Sequence, residues 1–373
     1  FDEITDRHLR SQDNIGKALR GGVMQYVLLT AQRDPLALRD DLLRLNLAAL
    51  SAPKSYGEVI GEDTWFEEHR SPWRDWLYDV EWRPSGITAA DAATAAATRI
   101  DALREAEELA RYDSAGATFD AMSAAFAADA LRELDESRVV PRYQRLMPRL
   151  REISANGTPR IDLEQRIAEF PRLETELRML DRCGRGLAGV LRGEIDPLQL
   201  IFPGGSSSEA EQIYRTSPYS RVMGESVAAA VRAFVDRATS PVRIIEIGGG
   251  TGGTTTHVLG AVHPKGSYTF TDISNYFVQR AAKTFAGIEG RVLDIERDPS
   301  AQGFAPSSFD IVIAANVIHA TAHLGETLAH LRALLRPEGL LLLVENTGRL
   351  AWGDLTFGLT EGWWGFRDTD LRP

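Results

Sequence analysis

From residue 241 onward, short apolar runs alternate with stretches of helical periodicity. Ile244-Ile245-Glu246 is the first run and residues 268–272, YTFTD, the second. Val292-Leu293-Asp294 is the third, residues 311–316, IVIAAN, the fourth, and residues 340–345, LLLLVE, the fifth. Strands that alternate with helices predict a parallel sheet covered on both faces. Ligands of such sheets bind at the carboxyl ends of the strands, and each run ends there in an acid or an Asn. Residues 1–200 have another texture, rich in Ala, Leu, Arg and Glu with few strand signals. Phe119, Met122, Phe126, Ala130 and Leu134 recur at helical spacing and predict one apolar helix face. Asp34-Pro35 reads as a helix start, with Leu42, Leu45 and Leu47 following on a helix-like pattern, and Asn156-Gly157 reads as a helix stop. Residues 76–84, WLYDVEWRP, alternate apolar and charged positions and predict a short strand inside a linker. Residues 203–208, PGGSSS, form the clearest internal loop.

Composition narrows the function classes. The chain has 373 residues and begins at Phe1, which reads as a piece of something longer; the length accommodates two or three domains. Its formal net charge of −11 argues against nucleic acid or an anionic membrane as main partner, since both require clustered positive charge. Cys183 is the single cysteine, so neither a disulfide framework nor a cysteine-rich metal site is possible. That fits a reducing, cytoplasmic setting. No apolar run is long enough to span a bilayer, and no signal peptide is visible.

The strongest local signal is residues 246–255, EIGGGTGGTT, placed after a strand and before a helix. Glycines there permit a sharp turn and a close ligand approach. Gly248, Gly250 and Gly253 also satisfy a dinucleotide pattern, so the turn alone leaves two cofactor classes open. Two acids favour S-adenosylmethionine. Glu246 stands two residues before the first glycine, where a carboxylate organises the cationic amino-acid end of the ligand. Asp294 ends the third strand, where it accepts a hydrogen bond from an adenine amino group. Asp272 ends the second strand and suits ribose hydroxyls under either reading. Each acid alone is equally a helix cap; three at successive strand ends weigh against that.

These segments resemble the methyltransferase domains of type I polyketide synthases. The likeness is carried by residues 246–255, 268–274 (YTFTDIS), 293–296 (LDIE), 302–304 (QGF), 314–321 (AANVIHAT) and 357–364 (FGLTEGWW). It is close from about residue 191 to 373, including LRG at 191–193 and LIFP at 200–203, and weaker over 85–190, which resemble the helical lid of such enzymes. Residues 1–75 match nothing, and 76–84 look like a synthase interdomain linker. The resemblance implies an α/β fold, a Rossmann-like class I methyltransferase core with an α-helical N-terminal lid subdomain. The division is 1–84 as N-terminal segment and linker, 85–205 as lid, and 206–373 as the cofactor-binding core. Such cores normally finish with an antiparallel hairpin after the fifth strand, and none is visible before Pro373.

For the site, the resemblance implies a catalytic pair, His319 and Glu345. The residues agree: His319 lies three positions past Asn316 at the mouth of the fourth strand, and Glu345 ends the fifth. Neighbouring strands let the two meet, and a carboxylate raises the basicity of an imidazole. The implied cofactor set is Glu246, Gly248, Gly250, Gly252, Asp272, Ile273, Asp294, Ile295, Asn316 and Tyr219, with no metal. Tyr214 competes with Tyr219 for closing over the cofactor, and Trp363 and Trp364 are candidates for an acyl channel. His257, His263, His323 and His330 show no metal-ligand spacing and read as surface or capping residues. The implied partners are an acyl carrier protein presenting an acyl thioester and neighbouring synthase domains. The implied reaction is methylation at the α-carbon of a β-ketoacyl chain, with His319 removing the α-proton. O-methylation of a carrier-bound hydroxyl or enol is the near alternative, and a silent spacer domain the distant one. A nicotinamide-dependent reductase would need a Tyr/Lys proton donor near the fourth strand, and none is present.

Overall fold

The computed structural model describes residues 26–32 as backbone, and 89–107, 109–155, 161–262, 266–346, 349–360 and 362–368. The readings at residues 34–47, 76–84, 156–157 and His263 lie outside these.

Six strands form one sheet: β1 (Tyr26–Gln32), β2 (Val242–Ile247), β3 (Gly266–Asp272), β4 (Ile288–Val292), β5 (Phe309–Ala315) and β6 (Leu335–Asn346), in the order β1-β6-β5-β2-β3-β4. The five strands from β2 to β6 are parallel. Their apolar side chains alternate between two cores. Ile244, Ile311, Ile313, Leu340 and Leu342 enter a large one, while Ile245, Val312, Ala314, Leu341 and Leu343 enter a smaller one on the other face. This period of two on both faces is why the runs read as continuous apolar segments.

Two details differ from the sequence reading. The third parallel strand is Ile288–Val292, just upstream of the Val292–Asp294 run. As the edge strand it is only half-buried, so its polar sequence masks it. The antiparallel edge beside β6 is supplied from the amino-terminal side: β1 pairs with β6, with Val27 opposite Glu345. Residues 26–32, read as part of a segment outside the core, therefore belong to its sheet.

The helices are α1 (Ala89–Ala106), α2 (Ala115–Glu133), α3 (Leu146–Ser154), α4 (Glu174–Leu191), α5 (Ser208–Thr216), α6 (Pro218–Arg237), α7 (Gly253–Val262), α8 (Asn275–Thr284) and α9 (Leu324–Leu334), with shorter turns between. Ser217-Pro218 opens α6 by a capping serine followed by proline at the first helical position. Helices α3 and α4 both pack on α2 as the lid, and Phe119, Met122, Phe126 and Ala130 face inward as their spacing requires. Helix α1, within the span assigned to the lid, packs along α6 and against β1 instead. Lid residues Tyr112, Phe119 and Leu180 share the large core with sheet residues Tyr268, Phe270 and Leu342.

Candidate active site

The chain leaves β2 through a glycine turn in which Gly248, Gly250 and Gly252 have φ of 61°, 52° and 80°. L side chains rarely adopt this region. At Gly248 a Cβ would sit 2.6 Å from Val317, whereas at Gly250 it would meet only the Gly248 carbonyl oxygen at 3.9 Å. The outer face at Gly250 is thus bare backbone. The turn is tied down by β3: the Gly249 N–H donates to the Thr271 carbonyl at 2.8 Å, and the Gly250 N–H to Asp272 Oδ2 at 2.9 Å. Asp272 Oδ1 accepts from the Ser274 N–H at 2.7 Å, so its carboxylate joins the turn to the start of α8.

Glu246 is buried beneath this turn, with Oε2 accepting from the Tyr268 hydroxyl at 2.7 Å and from the Thr255 hydroxyl. Burial pushes its carboxyl up to about 7, against the pull of the two hydroxyls. Asp272 is raised as well, chiefly by burial. The Tyr268 and Thr255 contacts were missed in the sequence, although Tyr268 stands four residues before Asp272 on the same strand. Ile273 presents its side chain to solvent, 68% exposed, next to Asp272, while Ile295 is buried. Asp294 caps the following turn, its Oδ1 accepting from the Glu296 N–H at 3.0 Å. Gln302 bridges the backbone N–H and carbonyl of Asp294 at 2.9 and 2.8 Å.

At the end of β5, Asn316 has a φ of 56° and its N–H donates to the Val344 carbonyl at 2.7 Å. The chain turns sharply there, and His319 follows in a single helical turn, residues 318–320. The Nδ1 of His319 lies 2.7 Å from Glu345 Oε2. The other oxygen, Oε1, accepts from the Val317 and Ile318 N–H groups, both at 2.8 Å. One buried carboxylate therefore fixes both the imidazole and the backbone that carries it. With Nδ1–H donated to Glu345, Nε2 is the basic nitrogen.

Of the two tyrosines, Tyr214 stands nearer this chemistry. Its carbonyl oxygen lies 2.6 Å from where a Cβ of Gly253 would be, and its ring lies 5.9 Å from that of Phe357. Burial, then the charge of Glu345, push its hydroxyl up to about 12. Tyr219 is buried with its hydroxyl donating to Asp113 at 3.0 Å. The Trp363 ring meets that of His319 edge-on at 5.3 Å, and the Trp364 indole N–H donates to the Gly358 carbonyl at 2.8 Å. His330 Nδ1 bonds the Ile295 carbonyl at 2.8 Å and His257 faces Glu225 at 3.5 Å, while His323 precedes α9. Among the described residues no three His, Cys, Asp or Glu side chains gather as a metal site.

Residues 245–341 match the family model of a methyltransferase domain. The non-reducing polyketide synthase Preu3 of Preussia isomera is 39% identical over 228 residues, 58% of this chain and 9% of that protein. Among solved structures, the CurJ carbon methyltransferase is 34% identical at a TM-score of 0.69, covering 76% of this chain and 87% of that one. The chain is a polyketide synthase methyltransferase domain of the carbon-methyltransferase type. The trans-methyltransferase CalH, solved in complex with SAH, is also similar, at 26% identity and a TM-score of 0.56 over 72% of this chain and 79% of that one. The methyltransferase spans about a tenth of the length of these curated polyketide synthase relatives. Its cofactor is S-adenosylmethionine. The open face at Gly250 is bare backbone, with the Asp272 carboxylate bonded to it and the exposed Ile273 next along the chain, and these residues fit such a molecule. Among the described residues no helix is long and apolar enough to cross a membrane.

Proposed function

We propose that the domain methylates the α-carbon of a β-ketoacyl chain held as a thioester on an acyl carrier protein. The carrying observation is the 2.7 Å contact between His319 and Glu345 at the carboxyl edge of the sheet. When bound, S-adenosylmethionine supplies an electrophilic methyl group. Gly248, Gly250 and Gly252 would hold it through their backbone, with Glu246 toward its amino-acid end, Asp272 and Ile273 toward ribose and adenine, and Asp294 and Ile295 beyond. Asn316 shapes the passage from the cofactor to the base. His319 Nε2 takes the α-proton, which is acidic because two carbonyls flank that carbon. Glu345 stabilises the imidazolium that results and keeps the ring in the productive tautomer. The amides of Val317 and Ile318 prevent Glu345 from turning away. Alignment of carbon, methyl and leaving group supplies much of the remaining rate.

The test offers β-ketoacyl and β-hydroxyacyl chains on a carrier protein with S-adenosylmethionine. Mass spectrometry then localises the new methyl. One methyl on the α-carbon of the ketoacyl chain is expected, with α-hydrogen exchange into deuterated water that requires His319. An inert ketoacyl chain and a methyl ether from the hydroxyacyl chain would assign the domain to oxygen. No methyl on either would leave it a spacer within a synthase.

A further inference from the structure

His319 is gripped on a second side, by a chain of contacts that begins in the lid. The ring of Trp363 stands edge-on to the imidazole at 5.3 Å. Its indole N–H donates to Asp354 Oδ1 at 3.3 Å. Asp354 is buried, and its other oxygen, Oδ2, accepts from Arg149 Nε at 2.8 Å. Arg149 belongs to α3 and is itself largely buried, with its guanidinium also paired to Glu152 at 2.9 Å. One turn earlier on the same face, Arg145 donates to the carbonyls of Trp364 and Phe366 at 2.7 and 2.6 Å. Of two lid arginines, Arg145 thus holds the backbone of the segment that abuts the base, and Arg149 holds the carboxylate that receives its indole N–H.

The expense of the arrangement points to a purpose. Asp354 and Arg149 are charges withdrawn from water, and a buried pair returns little net stability for its desolvation. What such a pair does supply is geometry, because Arg149 and the indole N–H leave Asp354 one orientation. The indole N–H is directed at that carboxylate, and the indole meets the imidazole beside it. Glu345 holds His319 at Nδ1, and the Trp363 ring meets the side of the imidazole.

We propose that Trp363, Asp354 and Arg149 are positioning residues that set the tilt of His319, so that the lid helix α3 is part of the proton-transfer machinery. The proposal rests on His319 acting as the base.

The experiment uses the whole chain and three variants, Trp363→Ala, Asp354→Ala and their double, with Trp363→Phe as the conservative comparison. Retained affinity for S-adenosylhomocysteine in calorimetry shows that each is folded. Two readouts follow. The first is α-hydrogen exchange of a carrier-bound β-ketoacyl thioester in deuterated water. A loss of about 10²-fold is expected for each alanine variant, from misplacement of the base alone. The fall should lie in kcat with KM unchanged, and the double variant should lose no more than either single one, as for groups acting as a unit. Trp363→Phe, which keeps a ring, should recover part of the rate. The second readout is the ¹⁵N spectrum of labelled histidine, which needs no substrate. His319 should show one tautomer with a persistent Nδ1 proton in the parent and averaged signals in the alanine variants. Parent exchange rates and an unchanged His319 spectrum in folded alanine variants would overturn the proposal, as would additive losses. If His319→Ala exchanged α-hydrogens as fast as the parent, the base assignment would fall, and the spectra would still decide whether the clamp exists.

Discussion

His319 and Glu345 stand in a setting that makes their replacement informative. His319→Ala should lose about 10²–10⁴-fold in methyl transfer, the usual contribution of a positioned base, with S-adenosylhomocysteine affinity retained in calorimetry. Glu345→Gln should lose less, because the imidazole survives, though an amide offers Nδ1–H a poorer partner. A cofactor affinity that collapsed in His319→Ala would instead make the residue structural. Gly250 is the second informative position. A bulky side chain there would be strained at a φ of 52° and would fill the open face, so binding should disappear without loss of the fold. Glu246 supplies a pH dependence. Its folded-state pKa of about 7 lies above the ordinary carboxylate value, so the folded protein holds a proton that the unfolded chain releases. Stability is therefore expected to fall as pH rises from the unfolded carboxylate range to about 7. A cationic ligand end beside Glu246 favours the charged form, so cofactor affinity should rise over the approach to pH 7 with proton release. Calorimetry in buffers of different ionisation enthalpy reads this directly. A pH-independent affinity with no proton release would separate Glu246 from the ligand.

Elements show what a linear reading reaches. The strands were legible because burial on both faces leaves nearly unbroken apolar runs, and the acids stood out at their ends. The edge strand β4 was harder: half-buried and polar, it hid behind the adjacent Val292–Asp294 run. The pairing of His319 with Glu345 was visible through strand order, but the two amides that anchor Glu345 depend on the turn at Asn316, which no spacing rule encodes. Asp354, Arg149 and Trp363 were illegible as a group because they lie on separate elements up to 214 positions apart (363 minus 149), joined only when lid and core meet. Least legible was β1, which lies more than 300 positions from the strand it pairs with. Its removal should leave β6 with an unpaired edge beside Glu345, and such edges recruit other chains. A variant lacking residues 26–32 is thus expected to melt lower and to aggregate, measured by calorimetry and light scattering. Unchanged melting would deny β1 a place in the sheet.

At the scale of the whole molecule, the lid is fastened to the catalytic end by hydrogen bonds as well as by the shared core. Tyr143, buried in the lid, donates its hydroxyl to the Leu359 carbonyl at 2.8 Å. Tyr143→Phe should cost about 1 kcal/mol, the usual net worth of such a bond, with more left over if the carbonyl stays dry. Hydrogen exchange should report faster opening across residues 357–366, while the glycine turn keeps its protection. Equal protection in both proteins would show that the bond adds nothing to lid closure. Within the lid itself, exposed Arg–Glu pairs such as Arg178 with Glu174 and Arg151 with Glu136 are expected to add little stability.

The large core runs without a break from the lid helices to one face of the sheet. Anyone transplanting this activity between assembly lines would find the tempting cut, just before residue 206, to be the wrong one. A graft beginning there would carry the glycine turn and His319 but strip Phe119 and Leu180 from the shared core, along with α1 and β1. The exchangeable part is the sheet, its amino-terminal edge strand and the helical roof together.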